Sequence, residues 1–296
     1  MPIFVETFIE APLDDVWRAT QDPARHQQWD LRFSEISYLP KAAESDPQRF
    51  LYRTGPIRGE GESSGERDLP DCTRASALRF WSGDAMSLIV EGSGFWKYEP
   101  RGAAIRFHTV YDYRTRYGIA GRLVDSLIFR PLMAWATAWS FDRLRLWLER
   151  GVAPPAALRM ALIQTIARVT LAIVWIYQGL VPKLLVPDSG ERILTARMTG
   201  AALAPLLLTI AGVAEIVIGL ALLVAPRSRA VVWLSTIALI GLTTAGLISS
   251  PLIGVTPFNA VTLTLAMLAL GAIVLQAMDD VPSASRTRWS SRKVPQ

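Results

Sequence analysis

The sequence has very few of the side chains that build metal centres. Cys72 is the single cysteine, so the chain can form no intramolecular disulfide and no thiolate cluster. The two histidines, His26 and His108, lie far apart along the chain. These counts argue against a zinc centre, an iron–sulfur cluster and a bis-histidine haem, so we predict no metal and no cofactor.

Signals for secretion and for nucleotide binding are also missing. The first twelve residues contain an acid at Glu6 and no basic residue, unlike a signal peptide, so we expect the first part of the chain to stay on the side of synthesis. The spacing of the glycines in residues 59–65 is one residue longer than in the dinucleotide-binding fingerprint, and these glycines do not precede a helix. They lie between predicted strands, so we interpret them as part of a hairpin. The sequence contains no phosphate loop, nucleophile elbow or paired-carboxylate motif.

Charge is absent from a long stretch near the end of the chain. Residues 230–278 contain no charged side chain, and the stretch is long enough to cross a bilayer twice. Basic residues lie beside apolar segments, without a stripe of exposed aromatics, so the net charge of +5 does not predict a nucleic-acid partner. Membrane spans of roughly 20 residues are predicted at 160–185, 204–224, 230–248 and 258–278.

The basic residues near the span ends predict an orientation. They precede the first span, occupy the second loop and follow the last span: Arg143, Arg145, Arg150, Arg159, Arg227, Arg229, Arg286, Arg288, Arg292 and Lys293. With four spans these regions share one side, and the positive-inside rule predicts the cytoplasmic side of the cell (inner) membrane for both termini. Basic residues in the first external loop weaken this bias without reversing it. Residues 279–296 are predicted to be a disordered cytoplasmic tail.

Residues 1–150 are predicted to form an antiparallel sheet followed by a long helix. Alternation is clear in residues 103–114, where Ile105, Phe107, Tyr111 and Tyr113 share one face. Strands are predicted at 3–9, 34–39, 48–54, 59–67, 75–81, 87–100 and 103–114, with short helices beginning at residues 12 and 22. Apolar residues recur at four-residue steps in 119–149, which predicts a helix with one apolar stripe: Leu123, Leu127, Pro131, Trp135 and Trp139. We expect this stripe to cover the concave face of the sheet. A linker is predicted at 151–158.

Two stretches of sequence resemble known families. The segments "IEAPLDDVWRATQDPARHQQWD" and "FDRLRLWLERG" resemble the START/SRPBCC helix-grip superfamily of polyketide cyclase/dehydrase and lipid-transfer-like domains. The segments "WIYQGLVPKLLVPDSGE", "AGVAEIVIGLALL" and "PFNAVTLTLAML" resemble the DoxX-like membrane family. The resemblances imply an α+β helix-grip domain over 1–150 and an all-α four-helix transmembrane bundle over 159–278. Some DoxX relatives are associated with quinone-linked sulfur oxidation or membrane oxidoreductase complexes.

The candidate site residues fall into one group in each half. In the soluble half, apolar positions are predicted to point inward and either line a cavity for a hydrophobic molecule or fill it as core: Leu78, Phe80, Leu88, Val90, Trp96, Tyr98, Phe107, Tyr111, Trp135 and Trp139. In the membrane half, a buried carboxylate in the second span predicts either a small polar site or a satisfied helix–helix contact, with these residues: Glu215, Tyr177, Gln178, Lys183 and Asn259. His26 and His108 are predicted to be structural or solvated, His26 in a surface turn with no acid nearby.

Three functions follow from these observations. The first is a membrane-anchored module whose cytoplasmic domain binds a hydrophobic small molecule or lipid near the bilayer, with the bundle as anchor or transfer site. The second is an accessory membrane subunit of a quinone-linked oxidoreductase complex. The third is a cyclase or hydratase that uses the soluble cavity. It would need a polar acid/base pair, and the sequence contains no convincing catalytic constellation.

Overall fold

The computed structural model describes residues 1–41, 43–69, 71–186, 190–255, 257 and 259–291. The chain divides into two compact units, which we call the grip unit (Met1–Leu158 with Asp280–Gln296) and the membrane unit (Arg159–Asp279). The grip unit therefore takes residues from both ends of the chain.

The grip unit has the predicted order of strands and helices. Its elements are β1 (Ile3–Ile9), α1 (Leu13–Gln21), α2 (Pro23–Trp29), β2 (Glu35–Tyr38), β3 (Arg49–Thr54), β4 (Ile57–Asp68), β5 (Arg74–Trp81), β6 (Ile89–Arg101), β7 (Ala104–Thr115), α3 (Gly118–Val124), a π-helical turn (Asp125–Phe129), α4 (Arg130–Arg150), a 3-10 turn (Ala284–Arg286) and β8 (Arg288–Ser290). Asp22 caps α2, whose first residue is a proline, as the sequence predicts.

The strands form one antiparallel sheet in the order β2-β3-β4-β5-β6-β7-β1-β8. Pairing of β6 with β7 places Tyr98 opposite Phe107, so both side chains lie on the same face. Odd-numbered residues of β7 from Ile105 to Tyr113 are buried, which confirms the predicted alternation. This face, which we call the inner face, contacts the long helix α4, and the predicted α+β helix-grip fold is confirmed.

Glycines let aromatic rings lie flat on the inner face. A Cβ added at Gly92 would come within 2.4 Å of the Phe80 ring, and one at Gly94 within 2.5 Å of Tyr111 Cβ. Gly61 lies under the Phe50 ring in the same way. The glycines of β4 and β6 are therefore close-approach positions inside strands. The register between β4 and β5 shifts between Ser63 and Gly65, which marks a β-bulge.

The face of α4 that contacts the sheet differs from the predicted one. Leu127 and Trp135 are 66% and 41% exposed, so the predicted stripe does not cover the inner face. The buried side of α4 carries many small and hydroxylated residues together with larger ones that include Trp139, Phe141 and Leu144. The Phe141 ring stacks on Phe107 at 4.5 Å. The small side chains let the helix approach the flat aromatic layer closely.

Two predicted boundaries were wrong. The linker 151–158 is shorter, because α5 begins at Pro154, and prolines are tolerated in the first turn of a helix. The predicted disordered tail is ordered as far as Ser291: β8 pairs with β1, and Arg286 Nη1 lies 3.2 Å from Asp142 Oδ2. Residues 292–296 of that tail lie outside the described residues.

The membrane unit is helical. Its elements are α5 (Pro154–Leu180), which begins in the grip unit, a π-helical turn (Val181–Leu185), α6 (Gly190–Thr199), α7 (Ala204–Val224), α8 (Arg229–Ser249), a 3-10 turn (Pro251–Gly254) and α9 (Ala260–Ala277). Among the described residues, four helices are long and apolar enough to cross a membrane: Pro154–Leu185, Ala204–Val224, Arg229–Ser249 and Ala260–Ala277. Each overlaps a predicted span. Residue 258, the predicted start of the fourth, lies outside the described residues.

Helices α5 and α7 approach each other at glycines. A Cβ on Gly179 would come within 2.4 Å of the carbonyl oxygen of Gly212, and one on Gly219 within 2.8 Å of the Ala172 carbonyl. Trp175 of α5 is buried and donates a hydrogen bond from Nε1 to Ser235 Oγ at 2.7 Å. Close backbone contact and interhelical hydrogen bonds are what stabilise helix pairs in a bilayer.

Candidate functional site

The interior of the grip unit contains a charged cluster at the end of α2. Asp30 caps the helix and its side chain is fully buried. Arg32 binds this carboxylate through two nitrogens, with Nε 2.9 Å from Oδ1 and Nη2 2.6 Å from Oδ2. His26 lies one helical turn before Asp30, with Nε2 3.0 Å from Oδ2. The carboxylate is thus held by a histidine and an arginine simultaneously.

The environment of this cluster fixes the protonation of its members. Burial alone would raise the pKa of Asp30, but Arg32 and His26 hold it well below its usual range. Burial lowers the pKa of His26, because its contact with Asp30 compensates only in part. An ionised carboxylate only accepts hydrogen bonds, so Nε2 of a neutral His26 must carry the proton and donate it.

Aromatic side chains enclose the His26 ring. It stacks on Trp29 at 5.0 Å and meets the edges of Phe33 and Trp96 at 5.3 and 4.9 Å. Arg32 extends from the cluster to the Tyr111 ring, 5.5 Å away. The hydroxyl of Tyr111 shares a hydrogen bond of 2.9 Å with Thr137 of α4. The cluster therefore lies between α2, the inner face of the sheet and α4.

The ten predicted ligand residues differ in how deeply the structure buries them. Trp96, Tyr98, Phe107 and Tyr111 are buried on the inner face, and Trp139 is buried on α4. Phe80 lies over Gly92, and Leu78 is paired opposite Gly94 on the same face. Leu88 and Val90 are partly buried at the start of β6. Trp135 is largely exposed and does not point inward, since α4 presents a different side to the sheet.

An open cleft of about 1360 Å³ lies beside this interior. Its walls come from the ends of β5, β6 and β7 and from the α3–π-turn segment, and they include Phe80, Trp81, Tyr113, Leu127 and Arg130. The Tyr113 hydroxyl donates to Asp125 Oδ1 at 2.7 Å, and Arg130 Nε lies 2.8 Å from Asp125 Oδ2. The cleft combines aromatic surface with charged side chains, among which Asp125 and Arg130 are paired with each other.

The second histidine lies on the opposite face of the sheet. His108 is 7% exposed and has Phe4 and Phe95 beside its ring, so of the two predicted environments, structural or solvated, it is not the solvated one. Its Nδ1 is buried without a partner among the described residues. Burial lowers the pKa of His108, and Arg106 adds to this effect.

In the membrane unit, the predicted polar residues are brought together only in part. Lys183 Nζ lies 3.1 Å from Glu215 Oε2, and both side chains are more than nine-tenths buried. The geometry is that of an ion pair without an aligned hydrogen bond, because Oε2 has no hydrogen-bond partner among the described residues. The π-helical turn directs Lys183 to Glu215, which a regular helix prediction does not anticipate. Lys183 also lies 3.6 Å from Glu191.

The other three members of the predicted membrane site lie elsewhere or contribute differently. Tyr177 is 57% exposed, so its hydroxyl is not the predicted donor to Glu215. Gln178 is near Lys183 only through its backbone carbonyl, at 3.4 Å from Nζ. Asn259 caps α9 by accepting a hydrogen bond from the Thr262 amide.

The expectation that His26 lacks a nearby acid was wrong. It assumed a surface turn, whereas residues 23–29 form a helix and bring positions 26 and 30 onto one face. The four-residue spacing in "HQQWD" was the available signal. The contributions of Arg32 and Tyr111 depend on the sheet register and on α4, which no local pattern reveals.

The chain is similar to a known family of membrane proteins and to a relative of that kind. Residues 172–272 match the model of the DoxX-like family. The chain is 44% identical over 184 residues to the membrane protein YndG of Bacillus subtilis (strain 168), a protein described as uncharacterized, covering 60% of this chain and 68% of YndG.

Solved structures that are similar to about half of the chain have TM-scores of 0.40 or less. The hypothetical protein jhp0584 from Helicobacter pylori has a TM-score of 0.40 at 16% identity, covering 49% of this chain and 87% of its own. A STAR-related lipid transfer protein from Xanthomonas axonopodis has a TM-score of 0.38 at 16% identity, covering 49% and 84%. Truncated norcoclaurine synthase from Thalictrum flavum has a TM-score of 0.36 at 16% identity, covering 51% and 94%.

The match to YndG extends beyond the DoxX-like region and covers more than two thirds of YndG. The chain belongs to the YndG family of membrane proteins, with a DoxX-like region in its membrane unit.

Proposed function

We propose that this protein is a membrane-anchored binding protein whose grip unit takes up a hydrophobic small molecule or lipid on the cytoplasmic side of the inner membrane. The membrane unit anchors the grip unit there or receives its ligand. The observation that carries the proposal is the open cleft of the grip unit, in a chain with four candidate spans.

The size of the cleft and its aromatic wall suit the apolar part of a ligand. At about 1360 Å³ it exceeds the 300–1,000 Å³ that is common for small-molecule sites. Phe80, Trp81 and Tyr113 offer aromatic surface, whereas Asp125 and Arg130 are already paired with each other. Charged side chains also line the cleft: Arg79, Glu91, Asp112, Arg114 and Arg122. A ligand would therefore bury its apolar part against the aromatic wall, with charged groups around it.

The α3–π-turn segment, which forms one wall of the cleft, exposes apolar side chains. Ile119, Leu123, Leu127 and Ile128 of the α3–π-turn segment are each more than half exposed. Contiguous exposed apolar side chains mark surfaces that meet lipid, ligand or protein. Because the grip unit is joined to membrane spans, its local concentration at the bilayer is high, which favours exchange of a membrane-soluble ligand.

The test uses the full chain in phosphatidylcholine nanodiscs with 2-methoxynaphthalene as an apolar aromatic probe. Calorimetric titration, corrected by empty nanodiscs, is expected to show saturable binding to the wild type. Ser93 is an exposed residue of β6 that lines the cleft, so Ser93→Trp would fill it and weaken binding by about tenfold or more. Ser45→Trp, in an exposed loop that does not line the cleft, is the matched control. Absence of saturable binding by the wild type contradicts the proposal.

A second candidate function rests on the Lys183–Glu215 pair. A buried ion pair in an apolar helix bundle is costly, and intramembrane ionisable groups are often functional. With Glu191 at its more exposed end, the row of three charges could pass a proton or hold a polar headgroup, as an accessory subunit of a quinone-linked oxidoreductase complex would require.

Quinone reduction by isolated membranes tests this second function. Glu215→Gln is expected to lower the rate at which membranes from cells producing the protein reduce decylubiquinone. Thr209→Val, an exposed position of α7, is the control. An unaltered rate with Glu215→Gln removes the support for the oxidoreductase function.

A further inference from the structure

We propose that His26, Asp30, Arg32 and Tyr111 form a polar anchor inside the helix grip that recognises the hydroxyl group of an aromatic alcohol. The proposal deepens, and rests on, the proposed uptake of an apolar ligand by the grip unit. The polar end of that ligand would bind at this cluster and not at the polar groups that line the cleft.

The anchor presents one acceptor to a ligand. Asp30 fixes the His26 tautomer with the proton on Nε2, so Nδ1 carries a free lone pair. Nδ1 accepts no hydrogen bond from the described residues. It is also not one of the buried unpartnered polar atoms of that part of the chain, which are His108 Nδ1 and Glu215 Oε2. A solvent-sized group can therefore reach Nδ1.

The surroundings of Nδ1 select an aromatic ligand. Trp29, Phe33 and Trp96 enclose the imidazole ring, so an approaching group must lie against aromatic faces and edges. The side chain of His26 is 12% exposed and that of Arg32 is 11% exposed, which leaves a small opening to a largely buried cluster. A hydroxyl attached to a ring fits such an opening, and its ring adds stacking area.

The charges of the cluster favour a neutral hydroxyl over a carboxylate. Arg32 is already bound by Asp30 through two nitrogens, so its charge is largely matched. A ligand carboxylate would lie next to the ionised Asp30 and be repelled by it. Arg143 of α4 adds a positive charge, but its guanidinium donates two hydrogen bonds to the Pro154 carbonyl. A hydroxyl can donate to Nδ1 without bringing a second charge.

Two tyrosine rings lie between the cleft and the anchor. Tyr113 lines the cleft, and its ring centroid lies 6.5 Å from that of Tyr111 on the same face of β7. Tyr111 in turn contacts the guanidinium of Arg32. Both tyrosines are less than 10% exposed, so a ligand with its apolar part in the cleft would reach the anchor by displacing these two rings.

The experiment compares 2-naphthol with 2-methoxynaphthalene, which has the same rings but no hydroxyl proton. Both are titrated calorimetrically into the full chain in phosphatidylcholine nanodiscs. The wild type is expected to bind the naphthol about tenfold more tightly, as one hydrogen bond in an apolar site allows. His26→Phe keeps an aromatic ring at the position and should reduce this ratio to about one, while the affinity for the ether stays within about threefold.

His108→Phe is the matched control, since it makes the same change at a histidine on the other face of the sheet and should keep the tenfold preference. Equal binding of both probes by the wild type overturns the anchor but leaves apolar uptake intact. Absence of binding by either probe overturns the proposed uptake itself. Tighter binding of 2-naphthoate than of 2-naphthol also overturns the anchor, because it indicates a carboxylate site.

A second measurement needs no variant. In nitrogen-15 histidine spectra of the wild type, Nδ1 of His26 should move upfield when 2-naphthol is added, as a nitrogen does when it accepts a hydrogen bond. The ether should leave that resonance unshifted. A naphthol-bound protein with an unmoved Nδ1 resonance places the hydroxyl elsewhere and overturns the anchor.

Discussion

At the scale of single residues, the two histidines test whether burial or a neighbouring charge has the larger effect on the pKa of an imidazole. His26 touches the ionised Asp30, which by itself would raise its pKa, yet burial in aromatic surroundings outweighs that contact. His108 is also buried and has Arg106 nearby. In histidine-labelled NMR titrations of the full chain, we expect both rings to titrate below the ordinary value of 6.5, with His26→Asn assigning the two signals. A His26 ring that titrates above 6.5 would mean that Asp30 dominates.

These lowered pKa values also determine how stability depends on pH. Both histidines have ordinary pKa values when unfolded and lower ones when folded. As the pH falls through 6.5, the unfolded chain therefore binds more protons than the folded one, and the grip unit loses stability. Urea unfolding of the full chain in nanodiscs, followed by near-ultraviolet circular dichroism, should show lower midpoints at pH 5.5 than at pH 7.5. Equal midpoints would contradict the burial argument for both rings.

The stacked rings of the inner face should account for much of the stability of the grip unit. Phe107 and Phe141 are fully buried and their centroids are 4.5 Å apart. Phe107→Ala removes this contact and leaves a cavity, so we expect a loss of about 3–5 kcal/mol in the free energy of unfolding. Phe8, on the outer face of β1 and 51% exposed, provides the control, and Phe8→Ala should change that free energy by about 0.5 kcal/mol or less. The same urea titration measures both.

Residue patterns in the sequence predict the inner face well and the anchor poorly. Alternation along β7 places Phe107 and Tyr111 inside, because a strand has a fixed period of two. The contact of Arg32 with Tyr111 joins a loop to a strand nearly eighty residues later. It follows from tertiary packing, for which the sequence offers no periodic signal.

At the scale of helices and strands, the α5–α7 contact makes a sharp prediction about glycine. A Cβ on Gly179 would meet the Gly212 carbonyl at 2.4 Å, whereas a Cβ on Gly241 would meet nothing within 4 Å. Gly179→Leu should therefore separate the two helices and break the Lys183–Glu215 pair, while Gly241→Leu should be tolerated. Thermal unfolding in detergent, followed by far-ultraviolet circular dichroism, should show a lower midpoint for the first variant alone. Equal midpoints would mean that the helices do not need this close approach.

The exposed segment formed by α3 and its π-turn is the element that we expect to meet lipid. Leu127 is 66% exposed between other exposed apolar residues. In a Cys72→Ser background, a fluorophore on Leu127→Cys should be quenched by brominated phospholipids in nanodiscs. A fluorophore on Ser45→Cys, in an exposed polar loop, should not be quenched. Equal quenching at both positions would show that the apolar segment has no special contact with lipid.

The sequence predicts elements better than it predicts which side of an element is buried. All four apolar segments found by length became helices, since a long run without charge has few alternatives. The long helix after the sheet was also predicted, but Leu127 and Trp135 of its stripe lie on the exposed side, whereas Trp139 is buried. Hydrophobicity alone favours large apolar side chains at a contact, whereas many of the residues that α4 buries are small.

At the scale of the whole molecule, strand pairing constrains the membrane topology. β8 follows the last span in sequence, and it pairs with β1, which precedes the first. Because one sheet cannot lie on both sides of a bilayer, an even number of spans must separate Leu158 from Asp280, in agreement with the four candidate helices. This argument uses no charge, so it is independent of the positive-inside rule.

The side of the membrane is predicted from charge, and this leads to the last prediction. Arg227 and Arg229 lie between the second and third spans without an acid in that loop, which favours the cytoplasm for the loop and for both ends of the membrane unit. A green fluorescent protein fused after Gln296 should therefore fluoresce, and alkaline phosphatase fused there should be inactive. Phosphatase fused after Gly200, between the first two spans, should be active. Activity at both positions would contradict the even number of spans, whereas activity after Gln296 alone would keep that number and reverse the orientation.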